Sequence, residues 1–278
     1  MAQLNVFPEQ ESGYRWVMAI VVAVIMTTSF MSLTAFGVAA PQIAKSMNIP
    51  VQTLTLYGVD SFSIGLFVAF FLGHGGIFDT KVKQGVFLAQ ILLIVPQLLI
   101  PVVHSLLLIT VLRFAQGLVI MMLALFSIQL SGWFKSSERG ISLGAALGAI
   151  TLGGALGGLI SGKLASLGWQ KMYYITAAIM IVGALIYFIF AKDSKSLLEQ
   201  MKSSKSQKHE SAWKYPMTWI MGFVQIPLTW TLFSFGGFAP AYAFHLGYKA
   251  DQVGNAMFVW GIVGFFAAVI GSWIGDLL

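Results

Sequence analysis

GGIFDTKVKQG, residues 75–85, is the stretch on which the fold turns. Gly75 and Gly76 let two helix ends come close, Asp79 is the only acid, and Lys81 and Lys83 follow it. A long apolar run lies on either side. A tight basic loop between two such runs belongs on the cytoplasmic face of a membrane.

The composition outside this loop agrees. The chain has 278 residues, 58% of them hydrophobic and 9% charged, with a mean hydropathy of +0.83. Soluble domains carry about 25% charged residues, so an integral membrane protein is expected, with the lipid bilayer as its first partner. The net charge of +6 does not point to nucleic acid, because the basic residues sit in loops between apolar runs. There is no cysteine, and His74, His104, His209 and His245 are scattered. No metal, phosphate-binding or hydrolase motif is present, so neither a metal, a cofactor nor an enzyme activity is expected. Residues 1–15 are polar and carry Glu9 and Glu11, unlike a cleavable signal peptide.

A bilayer core about 30 Å thick needs about 20 apolar residues per helix. Eight runs qualify: 16–38, 54–72, 86–103, 106–130, 141–164, 172–190, 217–242 and 253–273. Backbone polar groups in lipid must be satisfied within their own span, which predicts an all-α, multi-pass class. With the N-terminus inside, eleven of the 16 Lys and Arg residues fall in cytoplasmic segments and four in external loops. That balance predicts a cytoplasmic N-terminus; the plasma (inner) membrane is the expected location. The organisation expected is a tail at 1–15, six spans within 16–190, a Lys- and Ser-rich connector at 191–214, and two further spans within 215–278.

Polar residues inside the spans are the site candidates. In span one, Thr28 and Ser32 are four apart on one face; their hydroxyls either bond back to their own helix or form a polar strip facing a cavity, and the strip is the expectation. Gln90 and Gln97 in span three read as glue between helices. Gln225 precedes Pro227 in span seven, where a kinked helix would line a path. Asp60 lies about six residues below the start of span two, and Arg113 about seven below the start of span four, roughly 9–11 Å deep. Each is the sole charge well inside its helix, so a direct or water-bridged pair is expected, with Gln116 one turn below the arginine. Protonation of Asp60 would then release Arg113 to an anionic substrate. In span five, Gly153, Gly154, Gly157 and Gly158 belong to a run whose spacing lets neighbouring helices pack closely.

An internal repeat joins the two ends of the chain. Ala-Pro at Pro41 and again at Pro240 is followed by a short loop, a span, and an aspartate, Asp79 and Asp276, after 38 and 36 positions. Span seven restarts the pattern of span one.

Together these features resemble the major facilitator superfamily. Gly75, Asp79 and Lys83 match the loop between its second and third spans, although Thr80 and Val82 stand where the family usually has Arg and Gly. RFAQG at 113–117 is similar to its fourth-span Arg-x-x-Gln-Gly, and LGWQKMYY at 167–174 to its approach to span six. GGALGG at 153–158 resembles its fifth-span antiporter motif, with Gly154 in place of the Pro. The sugar-porter signature is absent. The resemblance implies a bundle of six helices plus the first two of a second bundle, where the family has twelve in all. It also implies secondary active transport of a small-molecule substrate by alternating access, with Arg113 linked to proton coupling and gating. In the family, the 75–85 loop (with its repeat at Asp276) works as a gating loop and packs around the eleventh span, which lies beyond these residues. A shortened chain is thus expected, and a transport-incompetent fragment or accessory membrane protein is the alternative. Symport and antiport are both open.

Overall fold

The computed structural model describes residues 8–74, 78–204 and 214–277, and among these there is no strand. Ten helices follow one another: α1 (Tyr14–Met47), α2 (Val51–His74), α3 (Val82–Leu99), α4 (Leu106–Gly117), α5 (Met121–Ser131), α6 (Arg139–Leu164), α7 (Trp169–Phe190), α8 (Lys195–Ser204), α9 (Pro216–His245) and α10 (Ala250–Leu277). The 3-10 turn Leu118–Ile120 joins α4 to α5 in one span. Seven spans are long and apolar enough to cross a bilayer, and α9 adds a further helix of 30 residues. Eight of the expected runs are therefore helices.

Two expected exits are not exits. Pro41 and Pro240 lie inside α1 and α9, which continue to Met47 and His245. A proline in a membrane helix is tolerated where neighbours fill in around the freed carbonyl. Here the two proline segments pack on each other. A Cβ on Gly37 would sit 3.1 Å from the Gly237 carbonyl oxygen and 3.1 Å from Pro240 Cγ. The repeat is closer than the prolines alone reveal: Phe36-Gly37 stands five residues before Pro41, and Phe235-Gly236 five before Pro240.

α6 is the packing centre. Its Gly153 faces Phe30 of α1, with only 3.0 Å from an added Cβ to Phe30 Cβ, and Gly157 approaches Met31 and Thr34 Oγ1 (2.7 Å). Thr34 donates to the Gly154 carbonyl at 2.7 Å. The next face of α6 meets α10, where a Cβ on Gly158 would lie 2.7 Å from Met257 Cβ and one on Gly162 would lie 3.1 Å from Gly254 Cα. Gly154 itself is looser, with its nearest neighbours at 3.5 and 3.7 Å. Gly153, Gly157 and Gly158 thus lie in close contact with neighbouring helices, whereas Gly154 contributes its carbonyl. At the far end of α6, Gln42 of α1 donates to the Ala165 carbonyl and accepts from the Trp169 N–H, tying off the turn into α7.

The expected connector is ordered at its start. Ala191 and Ser194 are buried, and α8 follows with Ser194 Oγ accepting from the Leu197 N–H. Glu9 reaches across from the N-terminal segment, its Oε1 accepting from the N–H groups of Lys195 (2.9 Å) and Ser196 (3.3 Å). Gln10, beside it, donates to the Ser131 and Phe134 carbonyls that end the fourth span, and Arg15 pairs with Glu138 at 2.8 Å. Trp133 donates to the Lys192 carbonyl and Gln129 to Asp193. Residues 8–15 therefore fasten the first part of the connector to the six-helix bundle.

Glu9 makes this clasp sensitive to acid. Burial raises its affinity for a proton, but hydrogen bonds from its own backbone N–H and then from Ser196 and Lys195 outweigh that and hold the carboxyl below the usual glutamate value. A group whose folded pKa is depressed contributes stability above its unfolded pKa and loses it as pH falls through the folded one. Protease cleavage within 195–204 is expected to accelerate below about pH 4.5 in the wild type. In Glu9→Gln it should be fast already at neutral pH, with a flatter pH profile.

Candidate functional site

The charge inside the bundle is Arg113, which is 1% exposed. Leucine and isoleucine around it make α4 a membrane helix, and the arginine is admitted because α2 offers a backbone acceptor. Gly58 has no side chain, so Phe36 of α1 lies over it and its carbonyl accepts from Arg113 Nε at 3.2 Å. The guanidinium is held between two rings, Phe36 (4.3 Å to the centroid) and Phe62 (4.5 Å), each a favourable cation–π contact.

One turn on, at the i+3 position, Gln116 Oε1 accepts from Arg113 Nη1 at 2.8 Å. Its amide nitrogen passes the bond to Gln97 Oε1 on α3 (2.8 Å), and Gln97 Nε2 donates to Thr176 Oγ1 on α7 (2.9 Å). Thr176 completes the relay with its own helix carbonyls, Met172 and Tyr173. Arg113 Nη2 is buried without a partner. This is a polar wire through an apolar bundle, crossing α2, α4, α3 and α7, with a permanent cation at one end and one unused donor on it. Gln97 joins α3 to α4 and α7, bonds of the helix-to-helix kind expected of it, and with Thr176 it extends the bonds of Arg113 and Gln116. Phe36, Phe62 and Gly58 had no signal in the sequence beyond their type.

The Asp60–Arg113 pair is not formed. No ion pair involves either residue among the described ones, and Asp60 is exposed while Arg113 is buried. The reason is helical phase. At 3.6 residues per turn, Asp60 is rotated by about 200° from Gly58, whose face meets Arg113. Asp60 falls on the outward stripe with Leu56 and Ile64. Matching depth brought the two residues level without turning them towards each other.

Thr28 and Ser32 do not make a polar strip either. Thr28 Oγ1 bonds to the Val24 and Ile25 carbonyls and packs on Gly183, and Ser32 Oγ, buried, bonds to the Ser29 carbonyl. Hydroxyls that can reach their own i−3 or i−4 carbonyl satisfy themselves there. The side chain of Gln225 on α9 lies outside the described residues, as does Gly75.

At the loop ends the two aspartates of the repeat differ. Asp276, near the C-terminus of α10, accepts with Oδ1 from the Gly140 N–H (2.9 Å) and with Oδ2 from the Ile141 N–H (2.7 Å). It thus caps the start of α6, where unpaired N–H groups and the helix dipole favour an anion. Asp79 is half-buried in the turn before α3, with no hydrogen-bond or ion-pair partner among the described residues; Lys83 follows in the first turn of α3. Asp276→Ala is expected to lower the stability of the 278-residue chain by about 1–2 kcal/mol, and Asp79→Ala by less than about 0.5 kcal/mol. Thermal unfolding in detergent separates the two, and an equal loss at both positions would place a partner of Asp79 within this chain.

The comparisons with known proteins agree with this architecture. No curated protein sequence matches the chain. Among solved structures, it is similar to the crystal structure of a bacterial homolog of the human lysosomal transporter Spinster, in an inward-facing and unoccupied conformation. The TM-score is 0.61 at 14% identity, over 95% of this chain and 61% of the other. The chain thus spans less than two thirds of that transporter's length, and at this identity the likeness concerns the fold. The profile of the Major Facilitator Superfamily matches residues 22–278. A repeat that begins again at α9, an arginine–glutamine site in the fourth span and a match over nearly the whole sequence converge on one conclusion: this chain belongs to the major facilitator superfamily.

Proposed function

We propose that the protein takes part in secondary active transport of a small solute, coupled to protons, by alternating access between two bundles. The observation that carries this reading is Arg113: a cation taken out of water inside a membrane bundle, with no carboxylate beside it and one donor unused. Burying such a charge is costly, and a cation kept there at that cost is a candidate for function rather than for stability. The relay through Gln116 and Gln97 gives it a second arrangement to move between. The contact of Gly37 with Gly237 and Pro240 is where the two repeats would rock on each other. Asp60, on the outward stripe partway along α2, takes no part in this reading.

The test uses protein reconstituted in vesicles that hold a pH-sensitive dye. Solutes are added one at a time, and proton flux is followed with and without an imposed gradient. Solute-dependent flux in the wild type that is missing in Arg113→Met supports the reading; solute-dependent uptake with no proton flux removes the coupling. Orientation is tested in parallel: a tag in 205–213 is expected to be reached only from the cytoplasm, and one beside Lys249 only from outside.

A second reading has an observation in its favour. α10 packs one side on α6 and leaves about half of its residues exposed, with Val253, Gly254, Met257 and Gly261 buried. That surface suits further helices, and without them residues 1–278 would fold but not alternate. Uptake by this chain in vesicles, compared with a version extended by four spans, separates the two readings.

A further inference from the structure

Phe36 stands between two contacts of different kinds. Its ring covers one face of Arg113, 4.3 Å from the guanidinium carbon to the ring centroid, and none of the residue is exposed. The tip of the ring rests on Gly58, where any Cβ would run into it. Arg113 is thus gripped by residues 36 and 58, by the ring of the first and the carbonyl of the second.

The next residues in the chain, 37 and 59, hold the second half. A Cβ on Gly237 of α9 would lie 2.8 Å from Val59 Cγ1, and one on Gly37 would lie 3.1 Å from the Gly237 carbonyl oxygen. Gly237 is therefore lodged between α1 and α2, on each helix one residue away from the pair that grips the arginine. Phe238 of α9 packs on the buried cluster that contains both Phe36 and Val59. The helices are also locally weak at this level. Pro41 has no N–H for the Gly37 carbonyl, and Pro240 has none for the Gly236 carbonyl. A helix that lacks a rung bends there more readily than elsewhere.

We propose that Phe36 is the lever that couples the contact between the two halves to the buried cation. With Gly237 seated on Gly37 and Val59, Phe36 is pressed onto Arg113 and keeps Nη2, the donor without a partner, away from water. When α9 withdraws, α1 bends at Gly37, the ring swings off Gly58, and the guanidinium opens to the space that α9 has left. The proposal rests on the transport reading of Arg113 and supplies its connecting step, the way in which movement of one half changes the surroundings of the charge. By linkage, a group bound to Nη2 holds Phe36 off and favours the withdrawn position of α9.

The experiment reads Arg113 directly and measures no transport, so failure of the lever and failure of the transport reading are separate results. The 278-residue protein in lipid nanodiscs is treated with phenylglyoxal, and the rate of modification is read by peptide mass spectrometry, with Arg15 and Arg139 as internal references. Gly237→Val wedges α9 off Val59 and is expected to raise the rate at Arg113 on the order of tenfold, the scale of one desolvated ring contact. Phe36→Ala should raise it by as much with α9 in place, and Gly237→Val added to Phe36→Ala should add nothing further. Gly85→Val crowds Leu125 and Phe78 within the first bundle, away from α9, and should leave the rate unchanged. Each variant is first checked for monodispersity; if Gly237→Val does not fold, Gly237→Ala completes the same cycle with a smaller step. An unchanged rate in the folded Gly237 variant or in Phe36→Ala would overturn the lever. So would additive effects of the two substitutions, or an equal rise in Gly85→Val.

Discussion

Arg113→Met is expected to give a protein at least as heat-stable as the wild type that shows no proton-coupled transport. The guanidinium keeps two hydrogen bonds, to Gly58 and Gln116, and two ring contacts. Against these stands the desolvation of a full charge, several kcal/mol even after relaxation, with no carboxylate to offset it. Methionine fills the slot between Phe36 and Phe62 and removes the charge. What it leaves behind is Gln116 Oε1 without its donor, about 1–3 kcal/mol, in part recovered if the amide turns. Arg113→Ala is different, because it empties the slot as well; a large-to-small change in a core costs about 2–5 kcal/mol. Thermal unfolding of the two variants beside vesicle flux decides the matter. If methionine is as destabilising as alanine, the arginine is a structural strut, and the functional reading of the site fails with it.

Gly157→Leu is expected to abolish folded protein, and Gly154→Ala to change little. Position 157 looks directly at the backbone of α1, where a Cβ would meet Met31 Cα at 2.8 Å and Thr34 Oγ1 at 2.7 Å. Backbone cannot step aside as a side chain can, so α1 must leave α6 along their whole contact. Overpacking in a tight core costs about 1–3 kcal/mol and more when no rotamer escapes, and here the close contact also carries the Thr34 hydrogen bond. Position 154, one residue round from Gly153, has Trp260 and Thr34 at ordinary contact distance, so a methyl group fits. Monodisperse yield from size-exclusion chromatography distinguishes them; equal yields would mean that the glycine face of α6 is not what joins it to α1.

How much of this was readable beforehand depends on the kind of information a spacing holds. Hydrophobic length located the eight helical runs, since a helix must cross a fixed thickness of hydrocarbon. It failed at Pro41 and Pro240, where proline marked a contact between the repeats and the helices ran on. The i+3 spacing of Arg113 and Gln116 placed them in bonding reach on one helix. Depth along a helix could not tell which way Asp60 turns, because rotation is set by what packs on α2. The sequence did contain that phase: Gly58, Ser61, Gly65 and Ala69 mark a face of small residues, and that face is buried. Asp60 lies off it. The continuation of the relay from Gln116 to Gln97 and Thr176 joins three helices, and no spacing within one helix can announce it.

The bond from Glu9 to the start of α8 joins residues 186 positions apart. During synthesis at about 5–20 residues per second, Glu9 waits roughly 10–40 s for its partners to leave the ribosome. All six helices of the first bundle are made in that interval. The clasp can close only on a bundle whose fourth span already presents Ser131 and Phe134 to Gln10. Gln10 and Arg15 can already dock on residues 131–138 before Lys195 is made, so closure of Glu9 on the start of α8 is the step that waits longest.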